Sequence, residues 1–310
     1  MKNLPDYYSI HPNLIEPLRL GLPIVALESA VITHGLPYPE NLQLALSLEE
    51  VVRAIGASAA TIGIINKKIK IGLTENELET LALEKNARKI SRRDFAIALT
   101  RGEIGGTTVA GTLIAARTAG IRVFATGGIG GVHRGSLFDI SADLPELSRS
   151  PMIVVCAGAK SILDLPATLE YLETMGVPVV GYQTNEFPAF FSRESGLGVN
   201  IQVNTVEEIV QIALTHWELG IESAVLVVNP PPLEVALPAD RMNSVIQKAV
   251  EEAQQKGIHG SAVTPYLLAK VSQLTGGESL STNLELLRGN ARLAAEIALL
   301  LARNSQKFTI

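Results

Sequence analysis

Residues 125–160 read ATGGIGGVHRGSLFDISADLPELSRSPMIVVCAGAK, and an apolar strand can be read at each end of the run. The first, IRVFAT over 121–126, is rich in β-branched residues and ends in Gly127, Gly128, Gly130 and Gly131. The second, MIVVCAG over 152–158, delivers Lys160 just past its carboxyl end. Between them lie His133 and Arg134, then Asp139 and Asp143 flanking Ser141. In open α/β sheets, ligands bind in the crevice beyond the carboxyl ends of the strands. A glycine-rich strand end beside one that carries a lysine therefore predicts a site with an anion cradle and an amine.

Outward from this stretch, strands and helices alternate along the chain. LPIVAL (22–27) reads as a buried strand ending at Glu28. Pro37 and Pro39 argue against a helix over 29–39, so that segment is expected to be a loop. A helix opens at Pro39-Glu40-Asn41, and a hairpin over 59–72 turns at Asn66-Lys67. Thr74 and Glu77 have the spacing of a capping box, and SRRD (91–94) reads as a helix start with Ser91 as cap. Gly105-Gly106-Thr107-Thr108 precedes a helix of small residues. Further strands are expected at 177–182 and in SAVLVVN, with helices at 163–176, 205–220, 238–257, 264–275 and 281–303. The alternation predicts a three-layer α/β/α sandwich, and the hairpin makes its central β-sheet mixed. The reading is a single α/β/α domain over 1–310, with residues 1–20 as an N-terminal extension.

Composition narrows the function. The chain has 310 residues, 47% hydrophobic but only 5% aromatic, which suits an aliphatic core of helices on a sheet. Basic residues number 26 against 31 acidic, net −5 and without a basic block, so no nucleic-acid polymer is expected as partner. Cys156 is the single cysteine, which fits a reducing compartment, and its place inside MIVVCAG makes it a small buried hydrophobe. The first residues lack the pattern of a secretory leader and the apolar runs are too short to span a bilayer, so a cytoplasmic enzyme with no membrane partner is expected.

Several residues carry candidate chemistry. Amides at a helix start after Gly105–Thr108 can hold a phosphate, or Thr108 can simply cap the helix. No Walker loop is present, and TGGIGG lacks the setting of a dinucleotide fingerprint, which counts against a kinase or a dehydrogenase. Lys160 follows only small residues, so its amine is expected to lose charge stabilisation and serve imine chemistry; the alternative is a solvated lysine at a helix start. Asp139 and Asp143 can be a turn and a helix cap, or can hold a hard cation beside a phosphate. Glu28 closes a buried strand, where a carboxylate must be partnered or used as an acid.

Together, ESAVITHGLPYPEN, KISRRD, GGTTVAGT, FATGGIGGVHRG, DISADLPEL, VVCAGAKSILDLPATLEYLETMGVPVVGY, EFPAFF and GGESLSTNLELLRGNA resemble the pseudouridine-5′-phosphate glycosidases, the family also called indigoidine synthase A-like. The collinear match runs from about Gly21 to Ala302. The resemblance implies reversible cleavage of the C–C glycosidic bond of pseudouridine 5′-phosphate, a divalent cation (Mn2+, or Mg2+), and a homotrimer. It implies Lys160 as nucleophile, Glu28 as proton donor, Asp143 assisting proton transfer and Asp139 as metal ligand. It places substrate contacts on Lys89, Thr107, Thr108, Val109, Ser141, Ala142, Asp143 and Asn283. Ala30 and Gly289 depart from the family pattern at positions bearing on substrate contacts. A Schiff-base aldolase acting on another phosphorylated sugar and a non-catalytic nucleotide sensor are the competing readings.

Overall fold

A computed structural model describes residues 4–134, 138–258 and 263–307. Its centre is a mixed sheet built around β2 (Ile24–Leu27), whose four residues are all buried. On one side β2 pairs in parallel with β3 (Ser58–Ile65), which turns back into antiparallel β4 (Lys68–Ile71). On the other side follow, all parallel, β7 (Val123–Ala125), β9 (Ile153–Cys156), β13 (Val225–Val228), β11 (Val179–Tyr182) and β12 (Ile201–Val203). Beyond β4, β1 (Tyr8–Ile10) forms the edge, so part of the segment expected as an extension pairs into the sheet. A side branch, β5 (Arg88–Ile90) and β6 (Gly105–Thr107), joins β3 through β6.

The handedness of parallel crossovers assigns the layers. The chain leaves β2 toward β3 through α3 (Glu40–Ile55), then returns past β2 to β7 through α6 (Val109–Ala119). Right-handed connections in opposite directions put α3 and α6 on opposite faces. The face of α3 also carries α9 (Val206–Glu218) and the thirty-residue α12 (Glu278–Lys307), while α7 (Asp143–Leu147) packs on α6. This is the expected α/β/α sandwich, and the direction of winding reverses at β2. No described helix is long and apolar enough to cross a membrane.

Local signals explain much of this. The hairpin turns at Asn66 and Lys67, both at positive φ (52° and 58°), as a two-residue turn matched to strand twist requires. Thr74 and Glu77 form the expected capping box on α4 (Glu75–Leu83). Three expectations are corrected. Residues 30–34 form a short helix, α2 (Ala30–His34), because Pro37 and Pro39 lie past its last turn and cannot interrupt it. SRRD is a turn, and the helix begins only at Phe95 (α5, Phe95–Arg101): Asp94 Oδ2 accepts the Ser91 amide at 3.1 Å and folds the segment back on itself. Gly105–Thr107 is strand β6 rather than a free turn, and α2 presses on it so closely that a Cβ on Gly106 would lie 2.3 Å from Thr33 Oγ1.

Helix α9 shows the same logic in a testable form. Thr205 Oγ1 accepts the Glu208 amide at 3.3 Å, and Glu208 Oε2 accepts the Thr205 amide at 3.1 Å. Thr205→Ala is expected to lower stability by about 1 kcal/mol, read as a reduced urea midpoint with an unchanged slope.

Candidate active site

Reversal of winding at β2 opens a crevice where three neighbouring strands end. Glu28 follows β2, Thr126 to Gly128 follow β7, and the segment ending in Lys160 follows β9. The last two loops are joined by backbone hydrogen bonds: Ala157 N to Gly127 O at 2.9 Å, Ile129 N to Gly158 O and Lys160 N to Ile129 O, both at 3.1 Å. Lys160 is thus fixed against the glycine-rich loop by the main chain, with its half-buried side chain facing the crevice. Lys89 comes from β5, where it lies opposite Gly106. The resulting cavity, about 1670 Å³ including its open mouth, is lined by Glu28, Lys89, Thr108, Val109, Asp139, Ser141, Ala142, Asp143 and Lys160. A smaller chamber of about 550 Å³ shares Glu28, Ala30, Lys89 and Lys160. It adds Asn283 from α12 among apolar neighbours that include Val31, Phe190 and Leu287.

Of the residues expected at the site, only Thr107 stays out. It is fully buried, its hydroxyl donates to Ile62 O at 2.7 Å, and its amide donates to Ser29 Oγ at 2.9 Å. The helix start behind it is also less open than a phosphate cradle would be. Thr108 Oγ1 accepts the Gly111 amide, and Asp143 Oδ1 accepts the Ala110 amide at 2.8 Å. Asp143 Oδ2 accepts the Gly130 amide, also at 2.8 Å, so this buried carboxylate links the start of α6 to the loop after β7. Gly130 must lack a side chain here, since a Cβ would lie 2.2 Å from Ser141 Oγ and 2.7 Å from Asp143 Oδ2.

Charge at this sheet end is shaped by burial. Burial holds the Glu28 carboxyl above its ordinary value of 4.5, against the opposing pull of Lys160, the Thr126 hydroxyl and Lys89. Burial, and then the neighbouring Lys160, push the Lys89 amine below the usual lysine range. His34, at the end of α2, is lowered by burial and next by Lys89. Cys156 is wholly buried and its thiol is pushed up to about 12, so it supplies no thiolate at neutral pH.

Asp139 stands at the cavity wall with 56% of its side chain accessible, and His133 Nδ1 is 3.8 Å from its Oδ2. No group of three or more His, Cys, Asp or Glu among the described residues is arranged to hold a metal ion. One accessible carboxylate with open coordination space fits a hard cation that keeps most of its water and takes other oxygens from a ligand; it does not make a closed protein cage.

Four residues at this sheet end were given no site role from the sequence. Thr126 donates its hydroxyl to Glu28 Oε1. Asn290, wholly buried, donates Nδ2 to Thr126 O at 2.9 Å and accepts Asn229 Nδ2 at 3.1 Å. His34 lines the smaller chamber. Arg93 lines the larger cavity as an exposed cation with no acidic partner among the described residues, whereas Arg88 pairs with Glu103 and Asp94, and Arg92 with Glu146.

Two outcomes follow from the geometry. Gly130→Ala is expected to destabilise the chain by about 1–3 kcal/mol through overpacking, measured by chemical denaturation, and to abolish ligand binding. A raised Glu28 pKa adds stability below 4.5 that is lost as pH rises through the folded value. Glu28→Gln should therefore melt higher than the parent at pH 7 and above, with the gap closing toward pH 4.5 in a thermal scan.

Comparison with known proteins places this site in a lineage. The family model described as "Indigoidine synthase A like protein" matches residues 14–300. The pseudouridine-5′-phosphate glycosidase of Solibacter usitatus is 54% identical over 294 residues, covering 94% of this chain and 98% of that one. The enzyme of the same name from Escherichia coli K12 is 49% identical over 301 residues, covering 96% of each. The crystal structure of an indigoidine synthase A-like protein from Thermotoga maritima superposes with a TM-score of 0.89 at 39% identity, over 98% of this chain and 100% of that one. The prealnumycin C-glycosynthase AlnA, solved with ribulose 5-phosphate, gives 0.90 at 38% identity, over 98% and 99%. With the match spanning nearly the whole sequence and the whole sheet, the chain belongs to the indigoidine synthase A-like family.

Proposed function

We propose that the chain is a pseudouridine-5′-phosphate glycosidase, reversibly cleaving pseudouridine 5′-phosphate to uracil and ribose 5-phosphate. Relatives about half identical over nearly the full chain carry that name. The observation that carries the reading is the meeting of Lys160, Glu28 and Lys89 at one cavity with a polar lobe and an apolar one. The apolar chamber with Asn283 suits a planar base, and the larger lobe, with Lys89, Arg93 and Thr108, suits a sugar phosphate.

A carbon–carbon glycosidic bond has no heteroatom leaving group, so a covalent route is favoured over simple departure of the base. Lys160 Nζ would attack C1′ as the C1′–O4′ bond breaks, and O4′ takes up a proton. The nitrogen lone pair then forms C1′=N while the C1′–C5 bond breaks, its electron pair staying with a uracil ring that is protonated at C5. Water hydrolyses the imine to free ribose 5-phosphate and restores the amine. Glu28, whose carboxyl burial holds above its ordinary value, is the group placed to give a proton to C5 and to take it back in the synthetic direction. Asp143 has both oxygens on amides. We therefore assign it to fixing the loop and the local field, with proton transfer left to Glu28. Lys89 and Arg93 would hold the phosphate, whose binding energy positions the sugar.

Asp139 would hold the Mn2+ or Mg2+ that the family resemblance implies, which when bound supplies charge to order water and substrate oxygens. The same reading carries a homotrimer, which rests on the resemblance, and a cytoplasmic location, which rests on the sequence pattern.

Incubation with pseudouridine 5′-phosphate should release free uracil; no release, with or without Mn2+, sinks the proposal. Borohydride added during turnover should leave a ribose 5-phosphate adduct on the peptide containing Lys160. Lys160→Ala should lose both the adduct and at least about 10³-fold in kcat, while an adduct retained in that variant rejects the nucleophile. An aldolase acting on another phosphorylated sugar would trap its sugar without uracil.

A further inference from the structure

Glu28 reaches the crevice from the last position of a strand end and would swing freely without a second hold. That hold comes from Thr126, which follows β7, the strand paired with β2. Its side chain is buried (1% exposed), and its hydroxyl donates to Glu28 Oε1. Among the described residues this hydroxyl has no other partner, and Glu28 has no other hydrogen-bond donor. Thr126 is in turn immobilised through its backbone. Its amide donates to Val155 O at 3.0 Å, and its carbonyl accepts Asn290 Nδ2 at 2.9 Å. Asn290 is tied to Asn229 at 3.1 Å, and the Asn229 amide donates to Cys156 O at 2.8 Å. A chain of hydrogen-bonded amides thus runs from the ends of β9 and β13, through α12 and Thr126, to one oxygen of the carboxylate.

We infer that Thr126, held by Asn290, is the positioning residue that fixes the Glu28 rotamer and reserves Oε2 as the oxygen that carries and delivers the proton. A carboxylate oxygen that already accepts a hydroxyl is the poorer proton site, so the proton goes to the other oxygen, the one left for the substrate. The inference rests on the assignment of Glu28 as the proton-transfer group and goes beyond it by naming what orients that group.

Hydroxyl donation also favours the ionised form of Glu28, so its loss moves Glu28 titration to higher pH. The charged and titratable groups facing Glu28 are Lys160 after β9, Lys89 of β5 and Asp143 of α7, with His34 of α2 lining the same chamber. None of these is altered by a change at Thr126.

The test compares Thr126→Val, which keeps the shape and removes the hydroxyl, with Thr126→Ser, which keeps the hydroxyl, and uses Glu28→Gln as the reference. In Thr126→Val, uracil release should fall on the order of tenfold in kcat with KM changed less than about twofold. The limb of its kcat–pH profile that reports Glu28 should move up by about one pH unit. Thr126→Ser should return both toward the parent. If Thr126→Val does not fold, Thr126→Ala is compared with Thr126→Ser on the same readouts. Should the hydroxyl-free variant match the parent in kcat and profile while Glu28→Gln is inactive, the positioning role is overturned. Should kcat fall without any displacement of the profile, or should serine fail to restore it, the role is likewise overturned in favour of packing alone. An active Glu28→Gln would instead overturn the assignment of Glu28 itself.

Discussion

The carboxylate of Asp143 joins the start of α6 to the glycine-rich loop after β7. One oxygen takes the Ala110 amide at the start of α6, and the other takes the Gly130 amide in the loop after β7. A buried carboxylate is tolerated only when its lone pairs are met, and two amides at 2.8 Å meet them. The helix start adds the favourable end of its dipole. The Gly130 loop is also hydrogen-bonded to the segment that carries Lys160, so the same carboxylate indirectly sets where that amine stands. An apolar or smaller residue at 143 would leave two amides unmet and release both walls of the cavity together.

Around this fixed frame the sheet end gathers two acids and two amines. Glu28, Asp143, Lys89 and Lys160 lie within electrostatic reach of one another, yet their burdens differ. The hydrogen bonds of Asp143 absorb the cost of its burial, whereas Glu28 receives a single hydroxyl and stays biased toward its neutral form. Two carboxyls lining the same cavity are thereby held differently, one by two amides and one by a single hydroxyl. Burial and its cationic neighbour together weaken the hold of Lys89 on its proton.

What the sequence made legible was whatever has a local signature. The strand ends, the hairpin at Asn66-Lys67, the capping box at Thr74 and the placement of Glu28, Lys160 and Asp139 at one sheet edge could all be read from spacing and residue type. Features that depend on distant partners could not. Strand β1 pairs in parallel with β4 across a long separation and carries no turn signal. Thr107 looks like part of a glycine-rich anion loop until Ser29 and Ile62 are seen to consume its polar groups. Thr126 reads as one more β-branched residue, and its link to Glu28 spans two strands. Asp143 reads as a helix cap, while its two amide partners come from other parts of the chain.

Helix α12 supplies Asn283 to the smaller chamber and Asn290 to the buried amide chain, and it lies along α3, α9 and the central strands. Every strand of the sheet precedes it in the chain. During folding, then, every strand and Lys160 can be in place while the wall that carries Asn283 is still undocked. The smaller chamber is complete only once α12 has packed against the sheet, so its closure reports the docking of a segment remote in the chain from the strand ends it faces.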